Sequence, residues 1–293
     1  MKRARFPEWL KRRIPASANI SQTNEILKKL NLNTVCESAI CPNRGECFSK
    51  KTATFMILGN VCSRNCRFCA VPGDKPQPVD YEEPDKIVEA VGLLGLKHVV
   101  ITSVTRDDLP DGGAEQFSEV IRKLKAFNKD LIVEVLTPDF AGSSSAIKTV
   151  TSAKPDIYNH NLETVSELYS TVRPEADYKR SLNVLKLVKS IDKAVYTKSG
   201  IMVGLGETFE QVKQVLYDLK VVGCDIVTIG QYLAPSKEHL VVKEYVHPDV
   251  FEKYKALGEE MEFKHVAASP FVRSSFNAAD FSEKVLNKNK TQV

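Results

Sequence analysis

Two groups of three cysteines in the first quarter of this 293-residue sequence demand a chemical explanation. Cys62, Cys66 and Cys69 stand in VCSRNCRFCA as a C-x3-C-x2-C array, with Phe68 just before the last thiol. Three thiolates held this close can grip one face of a [4Fe–4S] cluster and leave the fourth iron without a protein ligand. An iron with a vacant position is a reaction site, because a small molecule can coordinate there. Cys36, Cys41 and Cys47, in VCESAICPNRGECF, again offer three thiolates to one metal centre. A structural zinc site is the alternative, and it usually wants four protein ligands and C-x2-C pairs. Zinc fits the first array poorly and stays open for the second, whose spacing by itself is unspecific. The seventh cysteine, Cys224 in VVGCDIVTI, lies beside an apolar run and reads as a buried small hydrophobe.

The composition is that of a globular protein with enough material for a core, 43% hydrophobic and 27% charged. Its length suits one large barrel-type domain or two ordinary ones. A net charge of +4 is too small to argue for nucleic acid. No run of eighteen apolar residues suggests a membrane span. The start, MKRARFPEWLKRR, carries six basic residues against Glu8 but no apolar core, so it is not a secretory signal. It reads as a solvated arm, with an organellar transit segment or a docking patch for an acidic partner as the alternatives. Without secretion, the cysteines do not read as a disulfide framework.

The elements that must position the cysteines follow from periodicity. Ser21–Leu32 has helical spacing, with Ser21 or Thr23 as its cap. The segment carrying Cys36, Cys41 and Cys47 holds Pro42, Asn43 and Gly45 and reads as tightly turned rather than regular. From residue 53, strand-like runs at 54–58, 98–104, 131–136, 156–162, 199–205 and 225–229 alternate with helical patterns. The helices are expected at 84–94, 114–126, 144–152, 163–170 with 180–189, and 208–222, and a last one at 248–262. Six such repeats imply a parallel sheet with helices outside it. A partial (β/α)6 TIM-type barrel fits better than a doubly wound sheet, because a polar loop follows each strand, and in barrels those loops carry the chemistry. The first cysteine array falls on the loop after the first strand. The organisation expected is an N-terminal extension over 1–50, a barrel core over 51–235 and a C-terminal extension over 236–293.

Other post-strand loops hold further candidates. Thr102 and Ser103 end the second strand, followed by Asp107 and Asp108, which read as helix caps rather than a proton-transfer pair. Asn161 and Glu163 follow the fourth strand, beside His160, which reads as a hydrogen-bonding residue rather than a metal ligand. Arg173 is a fixed cation suited to a carboxylate or ribose contact. Gly204-x-Gly206 with Glu207 is only a fragment of a dinucleotide turn.

The first array with its aromatic resembles the signature of the radical SAM superfamily, whose members bind S-adenosylmethionine at the open iron. Across most of the chain, VCESAICPNRGECF, GNVCSRNCRFCAV, TSVTRDDLPDGGA, HNLETV, LYSTVRPEADYKRSL, KSGIMVGLGET, TIGQYLAPSKEHLVV and VAASPFVRSSF resemble the lipoyl synthase family. The departures are Phe276 where that family usually has Tyr, and Ala268-Ser269 for a usual Ser-Gly.

The resemblance implies a sulfurtransferase that inserts two sulfur atoms at C6 and C8 of a protein-bound octanoyl-lysine. It implies two [4Fe–4S] clusters and S-adenosylmethionine. Cys62, Cys66 and Cys69 would hold the cluster that binds S-adenosylmethionine. Cys36, Cys41 and Cys47 would hold an auxiliary cluster with Ser275 as an unusual fourth ligand, and Arg273 would orient the serine loop. Thr102, Ser103, Asn161, Glu163 and Arg173 would neighbour S-adenosylmethionine. The partners implied are octanoylated lipoyl domains of 2-oxoacid dehydrogenase E2 subunits and the glycine-cleavage H protein. A reductant such as ferredoxin or flavodoxin and iron–sulfur carrier proteins would serve it. The expectation is a cytoplasmic monomer that engages neither nucleic acid nor membrane. Another radical SAM sulfur inserter would share Cys62, Cys66 and Cys69 but not the other array paired with Ser275. A zinc module with a basic arm would be colourless where a cluster protein is brown.

Overall fold

Runs of β-branched and aromatic residues alternate with amphipathic helices from residue 54 onward, and each run forms a strand. The structure, a computed structural model, describes residues 6–11, 18–50 and 53–276. Most of the basic arm, and the segment beyond Phe276, lie outside the described residues. Among the described residues no helix is long and apolar enough to cross a membrane.

In chain order the elements are α1 (Ala18–Lys29), α2 (Val35–Ser38), α3 (Arg44–Ser49), β1 (Thr54–Ile57), α4 (Glu83–Leu94), β2 (His98–Ser103), α5 (Ala114–Phe127) and β3 (Ile132–Leu136). Then come α6 (Ser144–Ser152), β4 (Ile157–Asn159), α7 (Tyr169–Val172), α8 (Tyr178–Ile191), β5 (Tyr196–Val203), α9 (Phe209–Val221), β6 (Ile226–Gln231), α10 (Pro248–Glu260) and β7 (His265–Ala268). The strands form one parallel sheet in sequence order, β1 to β7. Ile57 is in register with Ser103, Leu136 with Asn159 and Val203 with Gln231, so the strand ends open onto a common rim. The sheet is not closed, which agrees with the partial barrel expected. The apolar core lies between sheet and helices, with Phe55, Ile101 and Val135 against Ile87, Phe117 and Ile121 on one half. Ile201, Val227 and Ile229 pack against Leu216, Leu219 and Phe251 on the other.

Several elements differ from the sequence expectation. A seventh strand, His265–Ala268, joins the sheet within the C-terminal extension, where no strand was expected. Four residues are too few to show alternation, and the strand exists because β6 offers it a partner. The segment holding Cys36, Cys41 and Cys47 is not irregular, since it contains α2, capped by Thr34, and α3. Helix α1 begins at Ala18, so neither Ser21 nor Thr23 caps it, and the buried Thr23 hydroxyl donates to Phe48 O at 3.2 Å. Within 163–170 only the first three residues are non-helical, followed by a 3-10 turn at Ser166–Leu168 and the start of α7.

Candidate functional site

The two cysteine triads reach the same place by different routes. The N-terminal one is carried by α2, α3 and the turn between them, and is fastened to β1 by the Met56 amide donating to Asn33 O at 2.9 Å. The other lies on the loop after β1. Cys62 N donates to Pro72 O at 2.8 Å and Ser63 N to Thr105 O at 2.9 Å. Cys62 Sγ accepts from the backbone amides of Thr105, at 3.3 Å, and Arg64, at 3.5 Å. Both triads line one cavity of about 420 Å³ above the strand ends.

Every other site residue expected from the sequence also lines that cavity. Thr102 and Ser103 come from the end of β2, with Thr102 Oγ1 donating to Leu136 O at 2.9 Å. Asn161 and Glu163 follow β4, and Glu163 adopts a left-handed φ of 66°, strained for a side chain of its size. Arg173, just after α7, donates from Nη1 to Asn161 O at 2.9 Å and Leu162 O at 3.2 Å. Arg273 and Ser275 arrive from the loop after β7.

The electrostatics suit a site that takes up charged groups. Burial pushes the Cys36 and Cys69 thiols up to about 12, and burial also raises Cys66, against the pull of Arg173. Such thiols stay protonated until a metal takes the proton's place, so loading releases protons. Desolvation raises Glu163 against the attraction of Arg173, the Asn161 amide and Arg273. Ser103 Oγ and Asn161 Oδ1 are buried without a partner, as open positions awaiting a polar ligand would be. The thiols of each triad lie near enough to raise one another. Thiolates are the usual ligands of iron–sulfur clusters, so two sets of three thiols lining one cavity suit such clusters.

Sequence reasoning missed the supports of this site. Arg64, between Cys62 and Cys66, forks onto Asp107 at 2.6 and 2.8 Å and pairs with buried Asp139 at 2.8 Å. Asp139 also takes Arg180 at 2.7 Å. Against its burial, the Arg64 guanidinium holds the Asp139 carboxyl well below the usual range. Asp107 and Asp108 are therefore not helix caps: Asp107 binds Arg64 and Asp108 binds Arg106, while Asp111 accepts from the amides that open α5. Arg106 and Asp108 are two residues apart, whereas only proximity in space brings Arg64 to Asp107. His160 is a hydrogen-bonding residue as expected, with Nδ1 2.9 Å from Thr137 O. Glu207 is no part of a dinucleotide turn, since its carboxylate accepts from Gly204 N and Leu205 N. Cys224 is buried.

Comparison with known proteins places the chain in a family. The radical SAM superfamily model matches residues 56–219, and the model for the N-terminal domain of lipoyl synthase matches residues 1–41. The chain is 58% identical over 280 residues to a lipoyl synthase of Caldicellulosiruptor saccharolyticus, covering 96% of this chain and 98% of that relative. It is 59% identical over 274 residues to a lipoyl synthase of Caldanaerobacter subterraneus, covering 94% and 96%. Among solved structures, a maturase of the [FeFe]-hydrogenase matches with a TM-score of 0.60 at 16% identity, covering 92% of this chain and 66% of that one. Methylornithine synthase matches with a TM-score of 0.52 at 13% identity, covering 86% and 84%. These structural likenesses speak for the fold, and the sequence matches decide the rest: the chain belongs to the lipoyl synthase family of the radical SAM superfamily.

Proposed function

We propose that this cavity carries out the lipoyl synthase reaction with the residues named above in divided roles. The observation that carries the reading is that six thiols, Ser275 and the polar ends of β2 and β4 line one cavity. Cys62, Cys66 and Cys69 would hold one [4Fe–4S] cluster. When bound there, cluster and S-adenosylmethionine supply a 5′-deoxyadenosyl radical, which can take hydrogen from the unactivated C6 and C8 carbons that acid–base chemistry cannot open. Arg173 is a fixed cation for a carboxylate, and Glu163 offers a carboxylate to an ammonium group. Thr102, Ser103 and Asn161 supply hydrogen bonds around them. Apolar walls such as Ile201, Met202 and Val272 exclude water from the reacting carbon and suit an acyl chain.

The auxiliary [4Fe–4S] cluster is a substrate in this reading, because its sulfur leaves in the product. Cys36, Cys41 and Cys47 would hold it, with Ser275 completing the set and Arg273 orienting the serine. A hard oxygen ligand is poorly matched to iron in a sulfur cluster and so is readily displaced, as a cluster to be dismantled requires. Residues 1–50 then serve as the auxiliary-cluster arm, 51–235 as the barrel core and 236–293 as the extension that brings Ser275 back. The acceptors are octanoylated lipoyl domains of 2-oxoacid dehydrogenase E2 subunits and the glycine-cleavage H protein. Ferredoxin or flavodoxin supplies electrons, and iron–sulfur carriers replace the lost cluster. The protein acts as a cytoplasmic monomer, without nucleic acid or membrane.

The test is mass spectrometry of an octanoyl-lysine carrier domain incubated anaerobically with reconstituted protein, reductant and S-adenosylmethionine. A gain of two sulfurs in place of two hydrogens, with deoxyadenosine formed alongside, is expected. Deoxyadenosine without added sulfur would keep the radical chemistry and reject the substrate or the auxiliary cluster.

A further inference from the structure

The serine loop is held at its base and at its tip by different parts of the molecule. At the base, Asn43 Nδ2 donates to Phe271 O at 2.7 Å, and Val272 rests directly on Gly230 of β6. At the tip, Ser274 Oγ accepts from Asn161 Nδ2 at 2.8 Å. The same nitrogen gives its other hydrogen to Glu163 Oε1 at 2.9 Å. Arg273, between base and tip, donates from Nη1 to Val272 O at 2.7 Å. The tip is therefore tied to Asn161 and Glu163, two residues of the candidate S-adenosylmethionine pocket.

We propose that Asn161 and Ser274 are positioning residues that couple the pocket to Ser275, so that a sulfonium amino acid bound beside Glu163 slackens the loop tip and lets Ser275 leave the auxiliary cluster. The inference rests on the reading of Ser275 as a cluster ligand. Its physical basis is competition for one carboxylate. An ammonium and a sulfonium placed near Glu163 compete with the Asn161 amide for its carboxylate. If Glu163 turns toward the ligand, the Asn161 amide loses one acceptor and no longer holds its orientation toward Ser274. The tie at the loop tip then loosens, and the coupling is reciprocal. Sulfur stays locked until the radical source is seated.

The experiment uses the full chain with its iron oxidised, so that added S-adenosylmethionine is bound but not cleaved. EDTA and iodoacetamide are added together, and alkylation of each cysteine is followed by peptide-resolved mass spectrometry. Labelling of Cys36, Cys41 and Cys47 reports loss of the auxiliary cluster separately from the other triad. S-adenosylmethionine is expected to accelerate that labelling about fivefold or more in the unaltered protein. Ser274→Ala should label fast without it and gain less than about twofold from it, whereas Ser274→Thr, which keeps the hydroxyl, should regain the response. No acceleration in the unaltered protein, or an alanine variant that still responds fully, would overturn the coupling. Iron content separates this failure from that of the underlying reading: about eight irons per chain keep the two-cluster premise, and about four would overturn both.

Discussion

The Asn43 side-chain amide donates to the Phe271 carbonyl at 2.7 Å across 228 residues of chain. This bond sets the turn between Cys41 and Cys47 against the loop that carries Ser275. Asn43 is buried, so its donor satisfies a carbonyl that water does not reach. A ligand set split between the two ends of a chain needs such a fastener, because neither loop belongs to a strand that would hold it.

Gly230 is the other half of that fastening. A Cβ at this position would lie 2.0 Å from Val272 O and 2.9 Å from Arg273 Nη1. Backbone cannot yield by that much without moving the loop. Gly230→Ala should therefore retain the cluster on Cys62, Cys66 and Cys69 and lose the auxiliary one, with iron and sulfide halved to about four each. Full iron content with normal sulfur insertion would show that the loop tolerates the displacement.

Ser275→Ala should leave deoxyadenosine production intact and stop formation of lipoyl product. Chromatography of the nucleoside and mass spectrometry of the carrier read the two steps separately. Lipoyl product at the normal rate would remove Ser275 from the ligand set.

Cys66→Ala should abolish cleavage of S-adenosylmethionine, because two thiolates no longer define the open iron. Deoxyadenosine formation by this variant, assayed with excess dithionite, would reject the role given to Cys66.

Asp139 is fully buried between Arg64 and Arg180. Asp139→Asn leaves the Arg64 cation, whose side chain is 7% exposed, short of its buried counter-charge, at a cost of about 3–5 kcal/mol. The folded protein holds the Asp139 carboxyl below its unfolded value near 3.8, so its contribution is present above that pH and is lost as pH falls through the folded value. The gap between variant and parent in anaerobic urea unfolding should thus be full at pH 7 and shrink in strong acid. A gap that widens on acidification would contradict the assignment.

His160 is buried, and its burial together with nearby Arg173 lowers it to about 4. Its imidazole stays neutral where exposed histidines charge, so it favours the folded state above its unfolded value near 6.5 and loses that advantage as pH falls toward 4. In ¹³C-histidine NMR of the oxidised protein, the His160 signal, assigned by its loss in His160→Gln, should remain unshifted between pH 8 and 5. A His160 signal that titrates near pH 6.5 would refute the buried neutral ring.

The sequence by itself determined the chemistry. Thiol spacing is local: the C-x3-C-x2-C array carries its meaning within eight residues, while the C-x4-C-x5-C array gained its meaning from the rest of the sequence. The apolar strand runs were legible for the same reason, since alternation with helices every few tens of residues specifies a parallel sheet. Tertiary structure alone decided what holds those groups in place. Strand β7 is too short to show a pattern and exists through its pairing with β6. Asp107 looked like a helix cap because its partner Arg64 lies 43 residues away and meets it only through the fold. Asn43 and Ser274 stand in turns where their residue types are common, and Gly230 lies in strand β6, where nothing local marks it. Their functions arise from contacts between segments brought together only when the sheet curves and its two ends meet over one cavity.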